Sequence, residues 1–236
     1  MDNIPTLNPN TLLMPVQHYI VEDLSNADAA NSAKIVASTL NSLTDPVLKM
    51  MAGAGAEADE IGAQFFPDLD DPSTPGNLLF WPTTRTSQKN THQDAEKAEY
   101  SLRISVFLPE QDDYGVVYPA GFTLVLKLEE SACELLKLIP ASVFETLEFQ
   151  IKGSPAPAGF EFLDDSQHLP VMPNMRRQFL KAITRAHEVT TKARRKKFEA
   201  VMLHYIWDKT EPEQHFQSVL STLAALFVAV HQQAKN

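Results

Sequence analysis

The chain has 236 residues, 30 Asp and Glu against 20 Lys and Arg, a net charge of −10 with neutral histidines, and 44% apolar residues. That apolar share is globular, and the length supports one large domain or two small ones. The single Cys133 excludes an internal disulfide framework and a cysteine-based zinc site, and the acidic total opposes indiscriminate coating of nucleic acid.

The N-terminal MDNIPTLNPN has no basic leader region and no apolar one, and the strongest apolar run, Leu223–Val230, is too short to span a bilayer. A cytoplasmic protein with no membrane partner is expected. Residues 1–24 are punctuated by prolines, and the patch from Leu12 to Val21 reads as a strand or an extended arm. Ser25 followed by Asp28 marks a helix start, and Ala30, Ala33, Ala37, Leu40 and Leu43 carry helical spacing onward. Asp45 and Pro46 open a second helix with the stripe Val47, Met51, Ala54, Ala58, Ile61 and Phe65. Gly53, Gly55 and Gly62 weaken it by about 1 kcal/mol each relative to Ala.

Residues 66–99 hold four prolines, an acidic cluster and a long polar tail, which predicts a mobile linker or loop. Within it, Leu78, Leu79, Phe80 and Trp81 have two readings: they pin the loop to the core, or they anchor in a partner's pocket. Strand patterns follow. Leu102, Ile104, Val106 and Leu108 alternate with polar residues, as do Phe122, Leu124, Leu126 and Leu128. Leu147, Phe149 and Ile151 predict a third strand, and Phe160–Leu163 a fourth, with a short helix over Glu129–Ile139. Turn-type connections favour an antiparallel sheet.

The stretch Asn174–Trp207 has no Pro or Gly over 34 residues and predicts one long helix of roughly 50 Å. Between Arg176 and Lys197 it holds nine Lys and Arg against Glu188 alone, a local +8, so the rest of the chain carries −18. At ~100° per residue, Phe179, Ile183, Ala186, Thr190 and Val201 share one side. Arg177, Lys181, Arg185, Lys192, Arg195 and Lys196 share the opposite one. Such a row of cations suits a phosphate backbone or an acidic protein groove. Glu213 after Pro212 opens a last helix striped by Phe216, Val219, Leu220, Leu223, Leu226, Phe227 and Val230, which predicts an antiparallel helix hairpin.

Other motifs have bland explanations. The run Gly53–Ala58 matches a dinucleotide fingerprint in letters only, because no strand precedes it. Asp68, Asp70 and Asp71 form a solvated acidic turn, without the glycine and the twelfth-position Glu of a calcium loop. The seven histidines show no metal-ligand spacing, and no phosphate loop or serine elbow occurs. Neither cofactor nor metal is expected.

The expected fold is therefore α+β. It has an N-terminal arm and helices (residues 1–65), a linker or loop (66–99), a β-rich core (100–170) and a C-terminal helical hairpin (171–236). The expected function is non-catalytic binding of an anionic partner, nucleic acid ahead of an acidic protein, by the basic helix. The alternative is a protein–protein adaptor or inhibitor using Leu78–Trp81 or the acidic surface. A third reading is an enzyme whose site assembles from distant residues.

Overall fold

The computed structural model describes residues 6–57, 59–68, 70–83, 95, 97–151, 158–163, 167–171, 173–193 and 198–235. Its frame is a seven-stranded, wholly antiparallel sheet: β1 (Ile61–Pro67), β2 (Gly76–Pro82), β3 (Tyr100–Phe107), β6 (Gly121–Glu129), β9 (Ala200–Asp208), β7 (Ala158–Phe162) and β8 (Gln167–Pro170), in that spatial order. Strands β4 (Glu110–Gln111) and β5 (Val117–Tyr118) form a separate ribbon. Its tip and flank expose Tyr114, Val116, Val117 and Tyr118.

The α+β class with an antiparallel sheet is observed, and the sheet draws on more of the chain than expected. Residues 200–208 are strand rather than helix, because Val201, Leu203, Tyr205 and Trp207 are a period-two apolar row. Here β9 lies between β6 and β7 and satisfies both of its edges. A strand thus separates the last two helices, and the expected direct hairpin between them is replaced by a helix–strand–helix passage.

Other local differences have similar causes. Residues 147–151 belong to helix α5 (Ala141–Ile151), where Phe144 and Leu147 face inward at a three-residue step and Phe149 stays exposed. The second helix stops at Gly53, and the chain then turns through Gly55 at φ 105°, so Ile61 and Phe65 lie in β1 instead. The N-terminal arm is not extended: Asn8 caps the short helix α1 (Pro9–Leu13), whose Leu13 is buried.

Helix α2 (Asn26–Ser42) starts where the sequence places it, with the Ser25 hydroxyl accepting the Asp28 N–H at 3.2 Å. Helices α2, α3 (Thr44–Gly53), α4 (Glu130–Leu135), α5, α6 (Met175–Ala193) and α7 (Glu213–Ala234) complete the helical set. Helix α2 lies over β1–β3 and α7 over β3, β6 and β9, with α3 and α5 beside α7. All seven residues of the α7 stripe are buried. One sheet face is thereby covered. Phe80, Leu102, Leu126, Leu203 and Phe160 are cross-strand neighbours on it, and each is buried to within 1%. No described helix is long and apolar enough to cross a membrane.

Two buried polar networks tie the edges of this core. The Tyr100 hydroxyl and Nδ1 of His231 lie 2.8 Å apart, and His231 Nε2 lies 3.1 Å from Glu60, which also pairs with Lys235. Hydrogen bonds from Lys235 and then His231 hold the Glu60 carboxyl down at about 2. Burial, with Glu99 and Glu60 nearby, pushes the Tyr100 phenol up. At the other end of α7, the Tyr205 hydroxyl donates to the buried Glu211 at 3.0 Å, with His215 Nδ1 at 3.2 Å from the same oxygen. The carboxylate–histidine–tyrosine sets link strands to α7, as satisfied buried polar groups do.

Candidate anion-binding surface

Helix α6 is mounted by contacts that its sequence only half announces. Asn174 sits at φ 65° before the first turn, and its N–H donates to Glu148 of α5 at 2.9 Å; the Met175 N–H donates to the same carboxylate. A carboxylate at a helix N-terminus satisfies orphan donors and complements the dipole. Arg176 donates to the Ile139 and Lys137 carbonyls at 3.1 and 2.6 Å, so this cation is a structural tie. Met175, Phe179 and Ile183 are buried, with the Phe179 ring edge-on to Phe160 at 4.9 Å.

With the apolar side fixed, the other side must point out. Arg177, Lys181 and Arg185 are exposed at successive four-residue steps, and none has an ion-pair partner among the described residues. They form a ridge about 12 Å long at ~1.5 Å per residue. The side chain of Lys192, and Arg195 and Lys196 as a whole, lie outside the described residues.

For Leu78, Leu79, Phe80 and Trp81 the structure shows the first of the two readings, packing against the body of the protein, and it does so with a sheet element rather than a pinned loop or an anchor for a partner's pocket. All four lie in β2; Leu78 and Phe80 are wholly buried under the helices, and Trp81 packs with Phe66 and Ala95 on the opposite face. Only Leu79 is half-buried, so no apolar knob remains for a partner's pocket. The expected loop over 66–99 accordingly contains the end of β1 and all of β2, while residues 84–94 lie outside the described set. The acidic cluster is the β1–β2 turn: Asp68 Oδ1 accepts the Asp70 and Asp71 N–H groups at 3.2 and 3.3 Å, and Asp71 accepts from Ser73 and Thr74. One carboxylate oxygen each of Asp68 and Asp71 is thus engaged as a turn acceptor.

The sheet face away from the helices holds polar groups that the motif search missed. Leu79, Ala95, Ser101, Arg103, Val125, Lys127 and Met202 line a groove of about 180 Å³. Burial pulls the Arg103 guanidinium below its usual value, and it has no ion pair among the described residues, whereas Lys127 pairs with Glu129 at 2.6 Å. Beyond Met202, on the same face, Glu161, His168 and His204 converge from β7, β8 and β9. His168 Nδ1 lies 3.2 Å from Glu161 and 3.3 Å from His204 Nε2. Burial lowers the His204 imidazole's affinity for a proton, against an opposing pull from Glu161 and with His168 adding to the fall.

The available signal for this cluster was the period-two pattern around Phe160 and Tyr205, which puts Glu161 and His204 on outward positions. Sequence separations of 7 and 36 residues carry no register, so their meeting was not readable. Comparison with protein-family models, curated proteins and solved structures finds no match. Any functional reading therefore rests on the chain's own geometry.

Proposed function

We propose that the protein is a non-catalytic binding protein whose basic helix engages an anionic partner, nucleic acid ahead of an acidic protein surface. The observation that supports it is the ridge of Arg177, Lys181 and Arg185, outward-facing and without ion-pair partners among the described residues, on a helix whose opposite side is buried. Unpaired surface cations at regular spacing contribute little to folding, so the row is free to meet phosphates. No aromatic residue alternates with these cations, so contact is through backbone charge and not through base stacking. The −18 carried by the rest of the chain keeps affinity low at physiological salt.

The test is the salt dependence of binding to duplex DNA, single strands and an acidic polypeptide. Six phosphate contacts give a log–log slope of about −5 on duplex DNA. Replacing Lys181, Arg185, Lys192 and Arg195 by Gln should flatten it by about 3–4 units. Absence of binding to either nucleic acid at ~20 mM salt, where screening reaches beyond ~20 Å, removes the nucleic-acid reading. Binding to the acidic polypeptide alone assigns the ridge to a protein partner.

A further inference from the structure

We infer that Glu161, His168 and His204 form a binding site for a divalent transition-metal ion, zinc in the first instance, on the open face of the sheet. The three side chains come from adjacent strands whose pairing determines their positions. Glu161 stands directly opposite His168 across β7–β8, and His204 stands opposite Gly159, two residues along β7 on the same face. Side chains that share a face across paired strands have little freedom to separate.

The spacing suits coordination. A tetrahedral ion with bonds of ~2.0–2.1 Å holds its ligand atoms ~3.3–3.4 Å apart. The two contacts at His168 Nδ1 measure 3.2 Å to the Glu161 oxygen and 3.3 Å to His204 Nε2. All three ligand atoms lie within 4.8 Å of one another. Hydrogen bonding alone serves this geometry poorly. A single Nδ1–H can be directed at Glu161 or at His204, so one contact is always left without its proton. One ion takes the lone pair of each imidazole and the carboxylate charge together.

Glycine at position 159 is part of the arrangement. A Cβ there would stand 2.7 Å from the Leu169 carbonyl oxygen and 2.9 and 3.2 Å from Cε1 and Nε2 of His168, so glycine admits the neighbouring strand and leaves room for the ring over β7. Two imidazoles and one carboxylate are the ligand types that zinc and its neighbours accept, and they disfavour magnesium or calcium. Three protein ligands leave a fourth position for water, open to solvent because His168 is exposed. The site faces away from α6, so it stands or falls separately from the basic ridge.

The experiment is a titration of chelator-treated protein with Zn²⁺ by calorimetry, and with Co²⁺ by visible absorption, which reports tetrahedral coordination. One equivalent should bind. His168→Ala, His204→Ala and Glu161→Gln should each weaken binding by at least ~10-fold, the scale on which even supporting residues act at metal sites. His18→Ala, which changes an exposed histidine elsewhere, should bind as the unaltered protein does. Glu161→Gln and His168→Ala change partly exposed side chains, so unaltered circular dichroism is expected and a loss of binding reads on the site. No saturable binding below ~1 mM, or equal affinity after all three replacements, overturns the proposal.

Discussion

Strand β3 sends Leu102 and Ile104 to one side of the sheet and Ser101 and Arg103 to the other; β6 divides Leu124 and Leu126 from Val125 and Lys127; β9 divides Leu203 and Tyr205 from Met202 and His204. The two faces therefore share one backbone and one register, yet they do different work. On the helix side the side chains are wholly buried, each contributing about 1.5–3 kcal/mol through the apolar surface it removes from water. On the open side, among the described residues, Phe66, Trp81 and Ala95 seal one corner, Ser101, Ser105 and Val125 are buried, and the half-buried Arg103 and Lys127 lie between them. The covered face holds the fold, which leaves the open face free to carry cations and possible ligands.

The largest effect that would break this division is at the covered face. Phe227 of α7 is wholly buried and meets the Tyr100 ring edge-on at 5.3 Å. Phe227→Ala should cost about 3–5 kcal/mol in urea-induced unfolding. A loss under ~1 kcal/mol would mean that α7 does not close the core.

A smaller effect tests whether the open face is loose everywhere. Gly121, on the same side as Val125 and Lys127, is roofed by the Phe107 ring and the Trp207 carbonyl, and an added Cβ would collide with both. The ring can turn; the carbonyl is backbone in a central strand and cannot. Gly121→Ala should cost about 1–3 kcal/mol by thermal or urea unfolding. A neutral outcome would show that this end of β6 yields as a solvated edge does.

The smallest expected change is at Arg103. Its guanidinium is partly desolvated and unpaired among the described residues, and burial opposes its charged form. Arg103→Met keeps the packed stem, and stability should stay within about 0.5 kcal/mol of the unaltered protein. A loss above ~2 kcal/mol would place a hidden charge partner on the open face and make that face structural.

Much of this was legible in local pattern. The α7 stripe, the alternations in β3 and β6 and the outward side of α6 each follow from one period repeated over eight or more residues, and the start of α2 from the Ser25 cap. Repetition at that length separates a period of 2 from one of 3.6. The short apolar runs did not separate. Leu147–Ile151 fits both periods over five residues, and its helix is decided by Phe144 and Leu147 packing inward together.

The sequence by itself determined which residues are apolar on which side, where α2 begins and that the C-terminal third carries a concentrated positive charge. Tertiary structure decided that residues 200–208 are a strand, because their N–H and C=O groups find partners only once β6 and β7 flank them. It also turned Leu78–Trp81 into a sheet element and brought Glu161, His168 and His204 to one point. Those outcomes depend on strand order and register. Both are set by how distant segments share one apolar face and pair their backbones, and no local spacing encodes that.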